Sequence, residues 1–260
     1  MRDRVHLKAA LFTALMALSV LAGFAQRQSA PGSPAANDPK RLVFEMQDAI
    51  GMLRGLQQVD SVNRIEYWGT TGTMVQGART LQLSSFRVSI NYNVAGMRVD
   101  FTHDGQREVQ VVAGNAAWNE ETPGGKATPM PSALADRQLQ LWLTPIGLAK
   151  KAREAGEATK ASVEGGAPVL TFPIGSTTVK VRLNKLYEPE QVDAQAGGAA
   201  LAISYTDYDD LNDVAKADVF LPRRIVQRRG GTTILDLTVA TSNTNNPYVI
   251  MPVPPNIAKP

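Results

Sequence analysis

A strict alternation of apolar and polar side chains runs from residue 85 to residue 102, broken once at Ala95-Gly96. The apolar positions are Phe86, Val88, Ile90, Tyr92 and Val94 before the break, and Met97, Val99 and Phe101 after it. Successive side chains of a β-strand point to opposite faces, so a two-residue period predicts strands with one apolar and one polar face. Such strands are typical of an antiparallel sheet that buries one face and leaves the other in water.

Turn signals and further strand-like segments extend this pattern into a larger sheet. Asp104-Gly105 is a two-residue hairpin signal, and Gly230-Gly231 is predicted to turn the last pair of strands. Other strand-like segments are 65–75, 109–111, 116–118, 169–172, 179–183, 200–206, 219–227 and 233–239. No strand alternates with a long helix, as a parallel sheet would require. The sequence therefore predicts a mainly β fold, with an antiparallel sheet and a few helices on its concave side.

Two regions carry apolar side chains at helical spacing. Asp38-Pro39 has the composition of a helix start, with aspartate as the N-cap and proline at the first helical position. Apolar residues then recur at spacings of three or four, which predicts a helix over 39–59. They are Val43, Met46, Ile50, Leu53 and Leu56. Residues 132–143 and 145–155 predict two shorter helices, and both regions are expected to cover the sheet because short helices are marginal alone.

The N-terminal segment has the pattern of a cleavable secretory signal peptide. Arg2, Arg4 and Lys8 precede an uncharged apolar run over 9–25, which closes on Gly23-Phe24-Ala25. A basic start, an apolar run and small residues three and one before the cut predict cleavage after Ala25. A retained membrane anchor is the alternative, but the run is short for a span of ~20 residues.

The composition limits where the mature chain resides and what it can bind. The chain has 0 cysteines, which excludes disulfides, thiolate metal sites, cysteine nucleophiles and a lipid-modified N-terminal cysteine. We expect residues 26–37 to form a disordered linker and 38–257 a single domain, in the periplasm or secreted, with no transmembrane segment after cleavage. Positive charge is not concentrated in any part of this domain, so nucleic acid is not an expected partner.

Residue types that carry enzyme chemistry are sparse after the predicted leader. His103 is the one histidine there, and beside the Asp104-Gly105 turn it is either a turn residue or a catalytic or metal-ligating residue. Glu120-Glu121 lies in a glycine- and proline-rich loop and is expected to face solvent. Carboxylate pairs from distant segments nevertheless leave a hydrolase open as an alternative. We predict no enzyme activity, no catalytic residue and no cofactor.

An acidic cluster is the best candidate for an ion site. Its members are Asp207, Asp209, Asp210, Asp213 and Asp218. Their spacing is similar to that of oxygen-rich calcium loops, but the glycine and the terminal glutamate of such loops are missing. The alternatives are a solvated connection between strands and a weak cation site. With one histidine and no cysteine, no tightly bound transition metal is expected.

Two C-terminal segments carry a resemblance to known proteins. Residues 206–231 read TDYDDLNDVAKADVFLPRRIVQRRGG and residues 235–257 read LDLTVATSNTNNPYVIMPVPPNI. Together with the order of leader, helix, meander, helical insertion and second meander, they resemble the periplasmic lipoprotein-carrier superfamily. Its members include the outer-membrane lipoprotein-sorting carrier, its outer-membrane receptor and the N-terminal domain of the sigma-E regulator. The resemblance implies a half-barrel of antiparallel strands covered by helices, with an apolar cavity for acyl chains.

A groove between the sheet and the helices is the predicted binding site for a hydrophobic small molecule, a lipid or an acyl chain. The candidate ligand-binding residues are Trp68, Phe86, Val88, Ile90, Met97, Val99, Phe101, Trp118 and Trp142. The same side chains would equally form a closed core, and periodicity does not separate the two possibilities. In the second case the chain is expected to be an interaction or sensor module whose partner is another envelope protein.

Overall fold

A computed structural model describes residues 37–212 and 215–258 of the chain. The predicted leader, 1–25, and nearly all of the predicted linker lie outside these residues. Most of the described chain is antiparallel β-sheet, as the alternating segments predict, and the remaining regular structure is a few helices. Within the described ranges, no helix combines the length and the apolar character needed to cross a lipid bilayer.

The helices and strands follow one another in an order that separates two meanders by a helical insertion. The helices are α1, Pro39–Ala49; α2, Leu134–Trp142; α3, Pro145–Glu154; and α4, Pro255–Ala258. The first strands are β1, Leu53–Arg54; β2, Val59–Asp60; β3, Arg64–Gly69; β4, Thr71–Gln76; β5, Arg79–Asn91; β6, Gly96–His103; β7, Gln106–Ala113; β8, Ala116–Glu120; and β9, Ala127–Pro129. The strands after the insertion are β10, Lys160–Glu164; β11, Ala167–Ile174; β12, Thr177–Leu183; β13, Pro189–Ala196; β14, Ala199–Asp210; β15, Phe220–Arg229; β16, Thr232–Thr238; and β17, Thr241–Thr244.

The two meanders join side by side into one curved sheet that does not close on itself. Its strand order is β10-β11-β12-β13-β14-β15-β16-β4-β5-β6-β7-β8-β9, and it has 15 strands in the described part of the chain when β3 and β17 are included. The junction is the pairing of β16 with β4, in which Leu237 lies opposite Gly72. Strands distant in sequence therefore meet at the middle of the sheet.

The long strand β5 forks the sheet. Its first half, from Arg79 to Leu83, pairs with β4, and its second half, from Phe86 to Asn91, pairs with β3. Strand β17 adds to the outer side of β3, with Ser242 opposite Tyr67. The fork gives the sheet a branch that lies beside its main path.

The first helix is shorter than the sequence predicts. Asp38 caps it as expected, because its carboxylate accepts hydrogen bonds from the N–H groups of Lys40 and Arg41. The helix ends at Ala49, however, and the prediction of a helix to residue 59 is wrong. Gly51 has φ +71°, and a Cβ atom there would lie 1.7 Å from the carbonyl oxygen of Asp218. The chain must turn at this glycine, and the residues beyond it form the small β1–β2 hairpin.

In the region of β7 and β8, the sheet has two separate hydrophobic cores, one on each of its faces. The larger core lies under the helices, because α1 and α3 pack on β11 and α2 packs on β6, β7 and β8. The smaller core lies on the opposite face, under the C-terminal tail. Its buried members are Val109, Val111, Ala113, Trp118, Ala127, Val249 and Met251. We refer to the first face as the helix-covered face.

Candidate functional site

A groove of about 280 Å³ lies between the helix-covered face of the sheet and the α2–α3 segment. We call it the central groove. The β4–β6 side contributes Met74, Val75, Leu83, Phe86, Val88, Met97 and Val99, and the β14–β16 side contributes Ile203, Tyr205, Ile225, Ile234, Leu235 and Leu237. The two meanders therefore supply opposite walls, and the walls are predominantly apolar.

Strand alternation and one irregularity create the apolar wall on the β16 side. The register between β15 and β16 shifts between Gln227 and Arg228, so that one extra residue of β16 is accommodated there. A β-bulge of this kind places consecutive side chains on the same side of a sheet. Ile234 and Leu235, which are neighbours in sequence, accordingly both line the central groove.

The joint between α2 and α3 is held to the sheet by two tyrosines. Thr144 caps α3, since its hydroxyl accepts a hydrogen bond from the N–H of Gly147 at 3.3 Å. The hydroxyl of Tyr92 lies 2.9 Å from the Thr144 hydroxyl and shares a hydrogen bond with it. The Tyr205 hydroxyl donates to the carbonyl oxygen of Leu143. Burial raises the pKa values of Tyr92 and Tyr205, so both hydroxyls remain neutral.

Arg137 fixes helix α2 to the sheet at one end of the central groove. Its guanidinium donates to the carbonyl oxygens of Val111 and Trp118 at 3.0 and 2.7 Å, and to the side-chain oxygen of Asn119 at 2.6 Å. Desolvation by burial lowers the pKa of Arg137. The sequence analysis missed this residue, although an arginine between Leu134 and Leu141 at helical spacing marks a charge on the apolar side of α2.

An ion pair joins the same helix to the end of strand β15. A guanidinium nitrogen of Arg229 lies 2.5 Å from a carboxylate oxygen of Asp136. Both side chains are partly exposed, and both line the central groove. The charged residues thus stand where the groove meets solvent.

Gln227 is a polar residue on the inner face of β15, and the sequence analysis also missed it. It is 4% exposed and lines the central groove. Its side-chain nitrogen Nε2 is buried and makes no hydrogen bond with any described residue. The signal in the sequence is a glutamine two positions after Ile225, at an inward position of an alternating strand.

Some of the sequence-predicted ligand-binding residues line the central groove and others do not. Phe86, Val88, Met97 and Val99 are among its lining residues. Ile90 and Phe101 are fully buried in the larger core but lie outside the lining. Their cross-strand partners, Met97 opposite Ile90 and Phe86 opposite Phe101, do line the groove.

The tryptophans lie outside the lining, which corrects the prediction that they face the groove. Trp68 is half-buried on the face of β3 opposite to Tyr67, and the guanidinium carbon of Arg87 is 4.4 Å from the centre of its ring. Tyr67 lines the groove in its place. Tyr67 and Trp68 are adjacent and both apolar, so the alternation pattern does not predict which of the two side chains faces the groove.

The two other tryptophans are structural. Trp118 is buried in the smaller core on the opposite face, where its Nε1 donates to a carboxylate oxygen of Glu120 at 2.7 Å. Trp142 ends α2 beside the ring of Tyr92, and the amino group of Lys151 lies 4.2 Å from its ring centre. Both are therefore engaged away from the central groove.

His103 is the last residue of β6, next to the predicted hairpin turn. Asp104 and Gly105 have φ values of +49° and +73°, as a two-residue turn of this type requires. The imidazole is buried, and its Nε2 lies 3.0 Å from a carboxylate oxygen of Glu108. That hydrogen bond raises the pKa of His103, against a lowering effect of desolvation. The ring lies outside the central groove.

The acidic cluster is used for internal hydrogen bonds. Asp210 accepts from the backbone N–H groups of Asn212 and Asp218 at 3.1 and 2.7 Å. Burial acts to raise the pKa of Asp210, but these hydrogen bonds lower it overall. Asp209 pairs with Arg223 at 2.6 Å. Asp213 lies outside the described residues, and within them no three carboxylate or histidine side chains are grouped to hold a metal ion.

The glutamate pair at the end of β8 is only partly exposed to solvent, unlike the sequence-based expectation. Glu120 is buried, and its carboxylate accepts hydrogen bonds from Trp118 Nε1 and from the N–H of Gly124, both at 2.7 Å. Glu121 is exposed in the following turn. The expectation that both face solvent is therefore wrong for Glu120, which closes the loop between β8 and β9.

Comparisons with known proteins find similar structures but no matching family model and no matching curated sequence. No protein-family model and no curated protein matches the chain. A LolA superfamily protein from Nitrosomonas europaea is similar over 77% of this chain and 92% of its own, with 10% identity and a TM-score of 0.45. An uncharacterized conserved protein from Thermus thermophilus is similar over 80% and 87%, with 13% identity and a TM-score of 0.33.

Proposed function

We propose that the chain is an exported, non-enzymatic binding protein that holds a hydrophobic ligand, a lipid or a lipoprotein acyl chain, in the central groove. The observation that carries the proposal is an open, predominantly apolar groove of about 280 Å³ beneath the α2–α3 joint. Ligand pockets commonly run from ~300 to 1,000 Å³ and are mostly apolar. A volume near the lower end of that range favours a single chain over a bulky lipid with several chains.

The physical chemistry of the groove supports an apolar occupant. Each Å² of apolar surface removed from water contributes about 25 cal/mol, so a hydrocarbon chain in the groove gains stability from both partners. The groove walls come from strands that are paired on both sides, which keeps them in place without a ligand. The polar groups of the α2–α3 joint are already satisfied by Tyr92 and Tyr205.

Binding of a fluorescent fatty-acid probe tests the proposal. We expect the wild-type protein to take up the probe and to release it when lipids compete. Val99→Trp fills the groove from β6, so it should abolish probe binding at a cost of about 1–3 kcal/mol in unfolding free energy. Val163→Trp is the matched control, because Val163 is 40% exposed on β10. It should leave probe binding unchanged.

A wild-type protein that takes up no probe would contradict the proposal. The chain would then be better described as an interaction or sensor module for another envelope protein. If Val163→Trp abolished binding as well, the probe would be reporting the sheet surface and not the central groove.

Export makes a separate prediction about the mature N-terminus. We expect protein from the producing cell's envelope or medium to begin at or near Gln26, because Gly23-Phe24-Ala25 has small residues at the positions that signal peptidase requires. Mass-spectrometric sequencing of the intact protein measures this directly. An envelope protein that retained residues 1–25 would overturn the export proposal and favour a membrane anchor.

A further inference from the structure

We propose that Gln227 recognises the acyl carbonyl of the ligand, so that the central groove selects ester- or amide-linked chains over plain hydrocarbon or ether-linked chains. The inference rests on the proposed function and names the class of ligand. Gln227 is a specificity-determining residue in this account, and its side-chain amide is the donor.

A buried hydrogen-bond donor at the central groove lacks a partner. Gln227 is 4% exposed, and its Nε2 makes no hydrogen bond with any described residue. Folded proteins pair the large majority of their buried polar side-chain atoms. An unpaired amide that lines a groove therefore points to an acceptor that enters the groove from outside.

The residues along the inner face of β15 increase in polarity toward the charged end of the groove. Ile225, Gln227 and Arg229 all line the groove, and they pass from apolar to neutral polar to charged. The neighbours of Gln227 on the adjacent strands are Ile203 and Leu235, both apolar. Two residues of a strand span about 7 Å. A hydrocarbon chain in the groove would thus meet one neutral donor about 7 Å before the charged end. In an acyl lipid, the carbonyl group lies at the matching place, between the hydrocarbon chain and the polar head group.

The groove is lined by Asp136, Arg137 and Arg229, a net charge of +1, but each of these charged groups is already bonded within the protein. Arg229 is paired with Asp136, so this end of the groove has no net charge from the pair. Arg137 already donates to two carbonyl oxygens and to Asn119. The Nε of Arg229 is a second buried donor without a partner, and it stands on the same face of β15 as Gln227. A neutral ester or amide group fits these donors without introducing an uncompensated charge.

Displacement of an uncharged apolar fluorophore, such as phenylnaphthylamine, separates this inference from the proposed function. The competitors are monopalmitoylglycerol, which carries an ester carbonyl, and hexadecylglycerol, the ether of the same chain length. For the wild type we expect the ester to displace the fluorophore at about tenfold lower concentration, the value of one well-placed hydrogen bond.

Gln227→Leu should remove the preference for the ester while keeping fluorophore binding. Its thermal stability should not fall, because the Nε2 donor that it removes makes no hydrogen bond with a described residue. Gln227→Glu should weaken ester binding further, because an ionised carboxylate only accepts. Gln195→Leu is the matched control, since Gln195 is exposed on β13 and does not line the groove. That variant should keep the preference of the wild type.

The outcomes are distinguishable. A wild type that binds the fluorophore but is displaced equally by ester and ether overturns the role of Gln227 and leaves the proposed function standing. Retention of the ester preference in Gln227→Leu overturns it as well. A wild type that binds no fluorophore overturns both.

Discussion

Buried polar side chains fall into two groups when they are considered one residue at a time. Members of the first group hold distant segments together, as Glu66 does when it accepts from Ser89 at 2.8 Å and from Asn246 at 2.6 Å. This carboxylate thereby fastens the C-terminal tail to strands β3 and β5. Gln227 belongs to the second group, whose buried atoms have no partner among the described residues, and it lines the central groove.

His103 makes stability depend on pH. The hydrogen bond with Glu108 raises the pKa of His103 above the ordinary value of 6.5, against desolvation, and Asp104 adds to the rise. The folded state thus binds the proton more tightly than the unfolded state. Its contribution to stability is complete below about pH 6.5 and is lost as the pH rises through the raised pKa.

We therefore expect the free energy of unfolding, measured by urea denaturation, to fall as the pH rises above 6.5, the ordinary pKa of histidine. His103→Gln should flatten this part of the pH profile, and Glu108→Gln should do so too, because either change removes the stabilised ion pair. An unchanged slope in both variants would show that another group titrates in this window.

Single-residue patterns predict part of the groove and miss the rest for a physical reason. Strict alternation identifies the inward side chains of β5 and β6, and Phe86, Val88, Met97 and Val99 do line the groove. The polar members, such as Arg137 and Gln227, come from segments whose relative position depends on the whole fold. Where two apolar residues are adjacent, as in Tyr67-Trp68, the two-residue period does not predict which side chain faces the groove.

At the scale of helices and strands, the α2–α3 joint positions the two helices that cover the central groove, which we call the cover. Tyr92→Phe removes the hydrogen bond to Thr144 and leaves the Tyr205–Leu143 bond as the remaining tyrosine contact at the joint. We expect a loss of about 1 kcal/mol in unfolding free energy and weaker binding of the fluorescent probe.

Tyr208→Phe is a matched control for this prediction. The Tyr208 hydroxyl donates to the carbonyl oxygen of Pro189 at 2.7 Å, away from the joint. The variant should lose a similar unfolding free energy in urea denaturation, yet bind the probe like the wild type. Equal probe binding in all three proteins would mean that the Tyr92 contact does not position the cover.

Turns are the elements that the sequence predicts best, because their chemistry is local. Asp104-Gly105 and Gly230-Gly231 both have positive φ at both positions, as a two-residue hairpin demands. The end of α1 is predicted poorly for the opposite reason. Gly51 turns the chain because Asp218, far away in sequence, approaches its backbone.

At the scale of the whole molecule, the groove exists because the two meanders meet at β16 and β4. Their contact joins residues 235–238 to residues 71–74, and no local sequence pattern marks the two segments as partners. The sequence thus predicts an antiparallel sheet with a helical cover, but not which strands stand opposite each other across the groove.

The open sheet ends at the edge strands β10 and β9, and features of both strands discourage pairing with a strand of another molecule. The five residues of β10 include Lys160 and Glu164, whose charges discourage a further strand. Strand β9 is three residues long and closes on Pro129, which has no N–H group. The side-chain amide of Asn256 also occupies the carbonyl oxygen of Ala127 at 2.9 Å.

Strand β17 is the outer edge of the branch formed by the fork, and hydrogen bonds protect it from pairing with a further strand. The N–H of Ser242 in β17 donates to the carbonyl oxygen of Leu211 at 2.8 Å, and the N–H of Thr244 donates to the side chain of Asn212 at 3.2 Å. An unclosed sheet is ordinarily a template for edge-to-edge aggregation. Protected edges let this protein keep its sheet unclosed while resisting the growth of one sheet onto another.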